Sequence, residues 1–347
     1  MDVRTGLSYD DVLLVPQRSP VDSRSDVDLS TELTPALPLA VPLLSAPMDT
    51  VTEAETAIAL SEAGGFGTIH RFLSIDEQAA AVRRASEAGA TVGAAIGITD
   101  GFLDRARAVM AAGADALVVD VAHGHLEKCL DATAQVRDAF PDAELVAGNV
   151  ATPSAVHDLA DVGVDAVKVG IGAGSHCTTR EVAGAGVPQL TAIDDCADAA
   201  RDHGRDLRVI ADGGIRSSGD AVKALMAGAD TVMLGRLFAA TDESPSELVE
   251  RDGVLYKKSR GMATTAANEA RTDKTVERHH VDEGVEGLTA YRGPLVDVVD
   301  DVVDGMQSGL SYCGGRTIAE ARENAEFIRI EEGTQKRNSA HGILLED

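Results

Sequence analysis

The sequence predicts a (β/α)8 TIM barrel, an α/β fold in which eight parallel strands form a closed barrel surrounded by helices. Eight short apolar runs recur along the chain, and most precede an Ala-rich segment with apolar residues at three- and four-residue spacing. Several runs follow Ala-Gly-Ala or Val-Gly-Val-Asp, which ends the preceding helix with a C′ glycine. Because no long break interrupts the eight units, a closed barrel is favoured over a doubly wound open sheet, the alternative.

The predicted elements follow in chain order. Strands are expected at 42–48, 64–70, 91–97, 116–122, 144–150, 166–172, 208–215 and 231–237. Helical periodicity is clear at 74–87, 102–112, 126–140, 152–162 and 219–227. Near the C-terminus, a helix is predicted at 295–306, a glycine-marked turn at 309–315 and another helix at 318–327. The polar tail beyond Glu331 is expected to reach a neighbouring subunit.

The pattern loosens after the eighth strand. Residues 252–290 are polar and carry turn signals at Asp252-Gly253 and Arg260-Gly261. A long irregular segment inside a barrel is usually a lid. We therefore predict one barrel domain over 1–347, with a mobile flap inserted at 252–292.

Composition restricts the partners and the compartment. The 57 acidic and 31 basic residues give a formal charge of -26, which argues against nucleic-acid and anionic-membrane binding. Such acidity is typical of a halophile, because high salt screens the self-repulsion of a carboxylate-rich surface. The four cysteines are scattered, which predicts a reducing cytoplasm and no structural metal site. The N-terminus has no signal-peptide pattern, and no apolar run approaches the length of a membrane span.

Polar residues gather where the predicted strands end, which is where the chemistry of such barrels occurs. Taken singly, each has a structural explanation, such as helix capping for Asp212 or core packing for Met48 and His70. Polar residues at nearly every strand end are harder to explain in that way. The residues are Ser45, Met48-Asp49, His70-Arg71, Asp120 through His125, Asn149, Asp212-Gly213-Gly214 and Gly235-Arg236.

The loop at 170–180 is the strongest single signal. Its three glycines let several backbone N–H groups converge on an anion, and Ser175 adds a hydroxyl donor. Cys177 follows, with His176 beside it and Arg180 nearby, and cationic neighbours favour the nucleophilic thiolate. The alternative is an inert cysteine in a Gly-rich connection; its position in a phosphate-type loop favours function.

These stretches resemble the IMP dehydrogenase / GMP reductase family over nearly the whole chain. The similar segments are Leu7 to Leu14, Leu44 to Glu53, Val92 to Gly97, Asp120 to His125, Ala147 to Thr152, the cysteine loop, Ile210 to Ile215 and the region through Ile330. The resemblance implies a soluble oxidoreductase of purine nucleotides, GMP or IMP, with NADPH or NAD as cofactor and a homotetrameric assembly.

The resemblance also implies roles for individual residues. Cys177 would attack C2 of the purine, Thr179 would act in proton transfer, and Glu283 would pair with that threonine. The implied substrate-binding residues are Ser45, Met48, Asn149, Ser175, Asp212, Gly214, Gly235, Arg236, Gly261 and Met262. Among them, Asp212 would bind the ribose hydroxyls, Ser175, Gly214 and Gly235 the phosphate, and Met48 the base. Asp120, Val121 and Ala122 would contact the cofactor, and the carbonyls of Gly172, Gly174 and Cys177 would suit K+.

Two positions depart from the family pattern. The family often has Gly-Ser at the end of strand eight and Tyr-Arg-Gly-Met in the flap. This chain has Gly235-Arg236 and Ser259-Arg260-Gly261-Met262. A tyrosine contact to the phosphate is thereby lost, and Arg236 is expected to replace it with a stronger, bidentate one. The alternative is an Arg236 side chain that faces solvent.

The direction of reaction depends on the flap. Both family activities share a covalent thioimidate, which the dehydrogenase hydrolyses with an Arg-Tyr pair and the reductase reduces to IMP. The segment between Met262 and Glu283 is short and lacks tyrosine, and 74–91 runs on without the CBS domains of most dehydrogenases. Both observations favour GMP reductase.

Other observations keep alternatives open. IMP dehydrogenase remains one, with Arg278-His279 as substitute base, because 220–228, 308–315 and 327–341 look more like the dehydrogenase. A catalytically inactive nucleotide-binding regulator is a third alternative. It is remote, because the cysteine, threonine, glutamate and both aspartates of the active enzymes are all present.

Overall fold

The computed structural model describes residues 3–273 and 281–335, together with Met1. Eight parallel strands form a closed barrel in the order β10-β11-β4-β5-β6-β7-β8-β9, and each lies inside one of the eight predicted runs. The strands in chain order are β1 (Val12–Leu14), β2 (Thr31–Thr34), β3 (Leu37–Leu39), β4 (Leu43–Ser45), β5 (Phe66–Ile69), β6 (Val92–Ile96), β7 (Ala116–Asp120), β8 (Glu144–Val150), β9 (Ala166–Val169), β10 (Arg208–Asp212), β11 (Thr231–Leu234), β12 (Leu248–Arg251), β13 (Val254–Arg260), β14 (Glu286–Ala290) and β15 (Phe327–Arg329). The predicted TIM barrel is confirmed.

Helices surround the barrel, and the five predicted with clear periodicity occur within two residues of the expected bounds. They begin at local signals: Ser74 and Glu77 form a capping box, and Thr152 caps a helix whose first residue is Pro153. The helices are α1 (Ala54–Glu62), α2 (Ile75–Glu87), α3 (Phe102–Ala111), α4 (Glu127–Ala139), α5 (Pro153–Val162), α6 (Thr179–Val182), α7 (Gln189–Asp202), α8 (Ser218–Met226), α9 (Arg236–Ala239), α10 (Thr265–Ala270), α11 (Leu295–Tyr312), α12 (Ile318–Asn324) and α13 (Glu332–Gln335). None of the helices in the described ranges is long and apolar enough to cross a membrane.

The barrel interior is closed at its N-terminal end. Inward-facing side chains such as Leu44, Phe66 and Met233 form one apolar cluster, which Leu33 and Leu39 of the β2–β3 hairpin complete. A larger cluster lies between the strands and the helices. Among the described residues, a cavity opens at the carboxyl ends of the strands, the end at which the polar residues were predicted.

The segment predicted as an irregular flap contains regular structure. β12, β13 and β14 form an antiparallel sheet, and the β12–β13 hairpin turns at Asp252-Gly253, both with positive φ, as the turn signal indicated. The prediction of irregular chain was wrong there because β13 pairs with β14 across about thirty residues, a contact that local patterning does not reveal. Residues 274–280 of this segment, which include Arg278 and His279, lie outside the described residues.

The C-terminal predictions need two corrections. The helix expected at 295–306 continues through the predicted turn to Tyr312, and the helix expected at 318–327 stops at Asn324 before β15, which pairs with β1. Gly309 does not end α11; it faces α8, and a Cβ there would lie 2.6 Å from Val222 Cγ2. The glycine permits close helix packing rather than a turn.

Replacing Gly309 with alanine is expected to destabilise the fold. The added Cβ meets the stiff, β-branched Val222, and overpacking of this kind costs about 1–3 kcal/mol. Because the branched Val222 side chain cannot easily move away, we expect a cost in the upper part of that range, which exceeds the roughly 1 kcal/mol that alanine gains in helix propensity. Chemical denaturation measures the change, with Gly219→Ala in α8 as control, since a Cβ there meets only Ser217 Oγ at 3.7 Å. A Gly309→Ala midpoint equal to or above the wild-type value would contradict the packing role.

Candidate active site

A cavity of about 340 Å³ opens at the carboxyl ends of the barrel strands. The cysteine loop forms one wall, and the flap residues Gly261, Met262 and Glu283 close over it. Nearly all site residues expected from the sequence line this cavity. They are Met48, Asp120, Val121, Ala122, Asn149, Gly172, Gly174, Ser175, Cys177, Thr179, Asp212, Gly214, Gly235, Arg236, Gly261, Met262 and Glu283.

Ser45 is the exception. Its side chain is fully buried, and its hydroxyl accepts a hydrogen bond from Thr52 Oγ1 at 2.8 Å. Because side chains alternate along a strand, Leu44 and Ala46 face the barrel interior while Ser45 faces the outer helical layer. The expectation that Ser45 contacts substrate was therefore wrong.

Cys177, Thr179 and Glu283 form a continuous hydrogen-bonded chain. Cys177 Sγ lies 3.2 Å from Thr179 Oγ1, whose hydroxyl donates to Glu283 Oε2 at 2.7 Å. Cys177 and Thr179 come from the loop after β9, whereas Glu283 comes from the flap, 104 residues further along the chain. A proton can thus pass between the thiol and a carboxylate through one hydroxyl.

Backbone hydrogen bonds hold the flap against the cysteine loop. Thr178 N donates to Glu283 O at 3.0 Å, and Val285 N donates to His176 O at 2.9 Å. The flap residues are also joined to one another, because Glu283 N donates to Ala263 O at 3.1 Å. The loop itself bends at Gly170, whose φ is 152° and where any Cβ would overlap the carbonyl oxygen of Asp212. These contacts place Glu283 opposite Thr179.

The two side chains predicted to favour the thiolate, Arg180 and His176, are hydrogen-bonded to other groups. The Arg180 guanidinium donates to the Val187 carbonyl at 2.7 Å. His176 Nε2 is 2.8 Å from Ser259 Oγ, and burial, then the nearby Arg236, lowers the pKa of His176. His176 is accordingly neutral at pH 7. Arg236 lines the cavity instead, and its buried Nε has no partner among the described residues.

Lys168 lines the cavity and was not among the site residues expected from the sequence. Its ammonium, 3% exposed, donates to Asp120 Oδ1 at 2.9 Å, to Asp212 Oδ2 at 2.7 Å and to Asn149 Oδ1. Burial opposes its charge, but Asp120 and Asp212 more than offset this, so the pKa of Lys168 is raised. The available signal was a lysine inside the apolar strand β9, since an unpaired buried charge is costly.

The two residues that follow β5 have different roles. His70 is a buried core histidine, with Nδ1 accepting from Phe72 N at 3.2 Å and Nε2 3.4 Å from Glu53 Oε1, so its structural explanation holds. Arg71 lines the cavity beside Asp120 and donates to its carbonyl at 3.1 Å. Burial lowers the pKa of Arg71. The ring of its neighbour Phe72 stacks with the guanidinium of the flap residue Arg271, whose Cζ is 3.9 Å from the ring centroid.

The carbonyls suggested for a monovalent cation lie in the cysteine loop. Backbone carbonyls are suitable K+ ligands. One of them, Gly174 O, already accepts a hydrogen bond from Cys177 N at 3.0 Å, although its second lone pair is available. Within the described ranges, no three His, Cys, Asp or Glu side chains are grouped to hold a metal ion.

Comparisons with known proteins point to one family. The family model described as IMP dehydrogenase / GMP reductase domain matches residues 6–341. An inosine-5′-monophosphate dehydrogenase of Nitrosopumilus maritimus is 35% identical, covering 99% of this chain and 100% of its own length. A GMP reductase of Leishmania major is 34% identical, covering 97% of each chain. Among solved structures, a cysteine-to-alanine variant of GMP reductase from Trypanosoma brucei in complex with guanosine 5′-monophosphate matches with a TM-score of 0.93 and 31% identity, over 99% of each chain.

Proposed function

Since the chain belongs to the IMP dehydrogenase / GMP reductase family, we propose that it is a GMP reductase that converts GMP to IMP and ammonia with NADPH. The observation that supports a catalytic role is the series of hydrogen bonds from Cys177 through Thr179 to Glu283. The reductive direction is supported by the short connection between Met262 and Glu283, which contains no tyrosine. Members of the family use nicotinamide nucleotides.

In the first step, the Cys177 sulfur bonds to C2 of GMP. Glu283, acting through Thr179, receives the thiol proton and returns it to the 2-amino group, which leaves as ammonia. C2 is then joined to sulfur as a thioimidate. Closure of the flap over the cavity excludes the water that would otherwise hydrolyse this adduct.

In the second step, C2 is reduced and the carbon–sulfur bond breaks. The cofactor supplies a hydride when bound, and Asp120, Val121 and Ala122 line the part of the cavity proposed for its ribose. Lys168, held between Asp120 and Asp212, joins the proposed cofactor and nucleotide sites. The Cys177 thiolate leaves, IMP is released, and a proton from solvent restores the thiol.

Other cavity residues account for nucleotide binding in this proposal. Ser175, Gly214, Gly235 and Arg236, whose Nε has no partner among the described residues, would bind the phosphate, and Asp212 the ribose, while Asn149 would lie near the reacting carbon. Met48, Gly261 and Met262 would contact the base, and Gly172, Gly174 and Cys177 would offer carbonyls to K+. We also propose a cytoplasmic homotetramer from a halophile, with one barrel domain over 1–347, a mobile flap at 252–292 and no CBS domains.

IMP dehydrogenase is the second candidate, because the N. maritimus dehydrogenase is as similar to this chain, at 35% identity, as the L. major GMP reductase is at 34%. It requires a base that activates water, and Arg278-His279, the candidate from the sequence, lies outside the described residues. A nucleotide-binding regulator is disfavoured, because an inactive protein has no need for the hydrogen-bonded path from thiol to carboxylate.

The deciding assay supplies purified protein in high salt with GMP and NADPH, or with IMP and NAD, while absorbance of the nicotinamide is followed. We expect oxidation of NADPH with GMP and little reduction of NAD with IMP. The opposite pattern would establish the dehydrogenase. Binding of GMP without turnover under either condition would favour the regulator.

Removing the Asp212 carboxylate is expected to weaken nucleotide binding strongly. Its Oδ2 already accepts from Lys168 and Asn149, so it is fixed in position, and each ribose hydroxyl bonded to a charged group contributes about 1.5–3 kcal/mol. Asp212→Ala should raise the Michaelis constant for GMP. The 2′,3′-dideoxy form of GMP, measured on the wild type, tests the contact without a mutation. Equal affinity for the two nucleotides would refute the assignment.

A further inference from the structure

A partly buried ion pair joins the flap to the loop after β4. Arg260, the last residue of β13, donates from Nε at 2.9 Å and Nη2 at 2.6 Å to Asp49 Oδ2. The Asp49 side chain is 8% exposed and that of Arg260 is 24% exposed. Arg260 N also donates to Thr50 Oγ1 at 3.4 Å. Neither charged residue lines the cavity.

The pair connects two segments that do line the cavity. Met48 precedes Asp49, and Gly261 and Met262 directly follow Arg260. A third contact joins the same segments, because the Asp49 N–H points to Met262 Sδ at 3.4 Å. Methionine side chains rotate about three bonds and adapt to their surroundings, so two of them do not by themselves form a surface of fixed spacing. The spacing must come from the backbones that carry them.

We propose that Arg260 and Asp49 are a positioning pair that holds Met48 and Met262 at the spacing that a purine ring requires. The pair would determine affinity for the base, not for ribose or phosphate, since Asp212, Ser175 and Gly214 lie on other elements. This inference rests on the proposed nucleotide site, but not on the direction of reaction.

The chemistry of the pair suits positioning. Two N–H groups of one planar guanidinium fix both the distance and the angle to a carboxylate, which a lysine ammonium cannot do. Asp49 Oδ1 is buried and has no partner within the described part of the chain, so Asp49 depends on Arg260 alone for its charge balance. By contrast, Lys258 of β13 forms an ion pair with Glu247 in which both side chains are more than half exposed. Such an exposed pair should contribute little to holding the flap in place.

The test compares binding of GMP with binding of ribose 5-phosphate, which lacks the base, by calorimetry without dinucleotide. Arg260→Lys keeps the charge and loses the fork geometry. We expect its Kd for GMP to rise roughly ten- to a hundredfold, the range over which a small change in the fit of an apolar pocket alters ligand discrimination. Its Kd for ribose 5-phosphate should stay at the wild-type value. Lys258→Gln, on the same strand, should change neither.

Parallel loss of both ligands, or no loss of either, would overturn the positioning role. If Arg260→Lys does not fold, the double variant with Asp49→Asn and Arg260→Gln tests the positioning role instead. It replaces the ion pair by a neutral hydrogen bond, so it leaves no unpaired charge. It should likewise lose GMP affinity while keeping ribose 5-phosphate. A wild type that binds neither ligand would instead refute the proposed function, and the positioning role with it.

Discussion

Replacement of Cys177 by alanine is expected to abolish turnover while leaving GMP binding intact. The thiol is the protein group that bonds to C2 in the proposed mechanism, and loss of a covalent nucleophile can lower the turnover number by about 10⁶-fold. Ribose and phosphate contacts are assigned to Asp212, Ser175 and Arg236, so the dissociation constant should change little. Steady-state assays and calorimetry on the same preparation measure the two quantities.

Cys196 provides the matched control. It is fully buried in α7, and burial raises the pKa of its thiol to about 12, so it is an inert, protonated side chain at neutral pH. Cys196→Ala should keep full activity, as should replacement of Cys129 or Cys313, which are also buried. Activity in Cys177→Ala would end the covalent mechanism.

Replacement of Glu283 by glutamine is expected to slow ammonia release from GMP by about 10²- to 10⁴-fold, the usual contribution of a positioned general acid or base. The glutamine can still hydrogen-bond to Thr179 but cannot accept or return its proton. The loss should appear in turnover rather than in affinity, since nucleotide contacts are assigned to other residues. Stopped-flow measurement of the single-turnover rate isolates this step.

Glu286→Gln is the control for this prediction, because Glu286 is exposed at the start of β14, three residues beyond Glu283. The wild type should also form XMP from IMP poorly. Efficient XMP formation with NAD would show that the reductase proposal is wrong. Arg278 would then be the substitute base, and Arg278→Ala should accumulate the covalent adduct.

Much of the fold follows from local pattern. The eight barrel strands were predicted because a strand covered on both sides is continuously apolar, and the helices between them because their apolar residues recur at helical spacing. The cavity position followed from the same pattern, since the carboxyl ends of parallel strands meet at one end of a barrel. The family, recognised on the cysteine loop and the strand-end motifs, is confirmed by the match over residues 6–341.

Local sequence patterns did not reveal where the side chains of the site point or which distant residues they contact. Ser45 stands at a strand end like Asp212, yet its side chain points away from the cavity because of its place in the strand alternation. Arg180 is near Cys177 in sequence, but its guanidinium donates a hydrogen bond to the carbonyl of Val187. Lys168 belongs to an apolar strand in the sequence, and only the fold brings Asp212 of the adjacent β10 and Asp120 of β7, two strands away, to its ammonium.

The sequence by itself determined the barrel, the end of the barrel that carries the site, and the residue types available there. Tertiary structure alone decided that Gly309 packs against a helix, that β13 pairs with β14, and that Arg260 reaches Asp49, 211 residues away. The physical reason is the range of the forces. Periodicity and capping are set within a few neighbouring residues, whereas an ion pair or a close helix contact exists only once the whole chain has brought its members together.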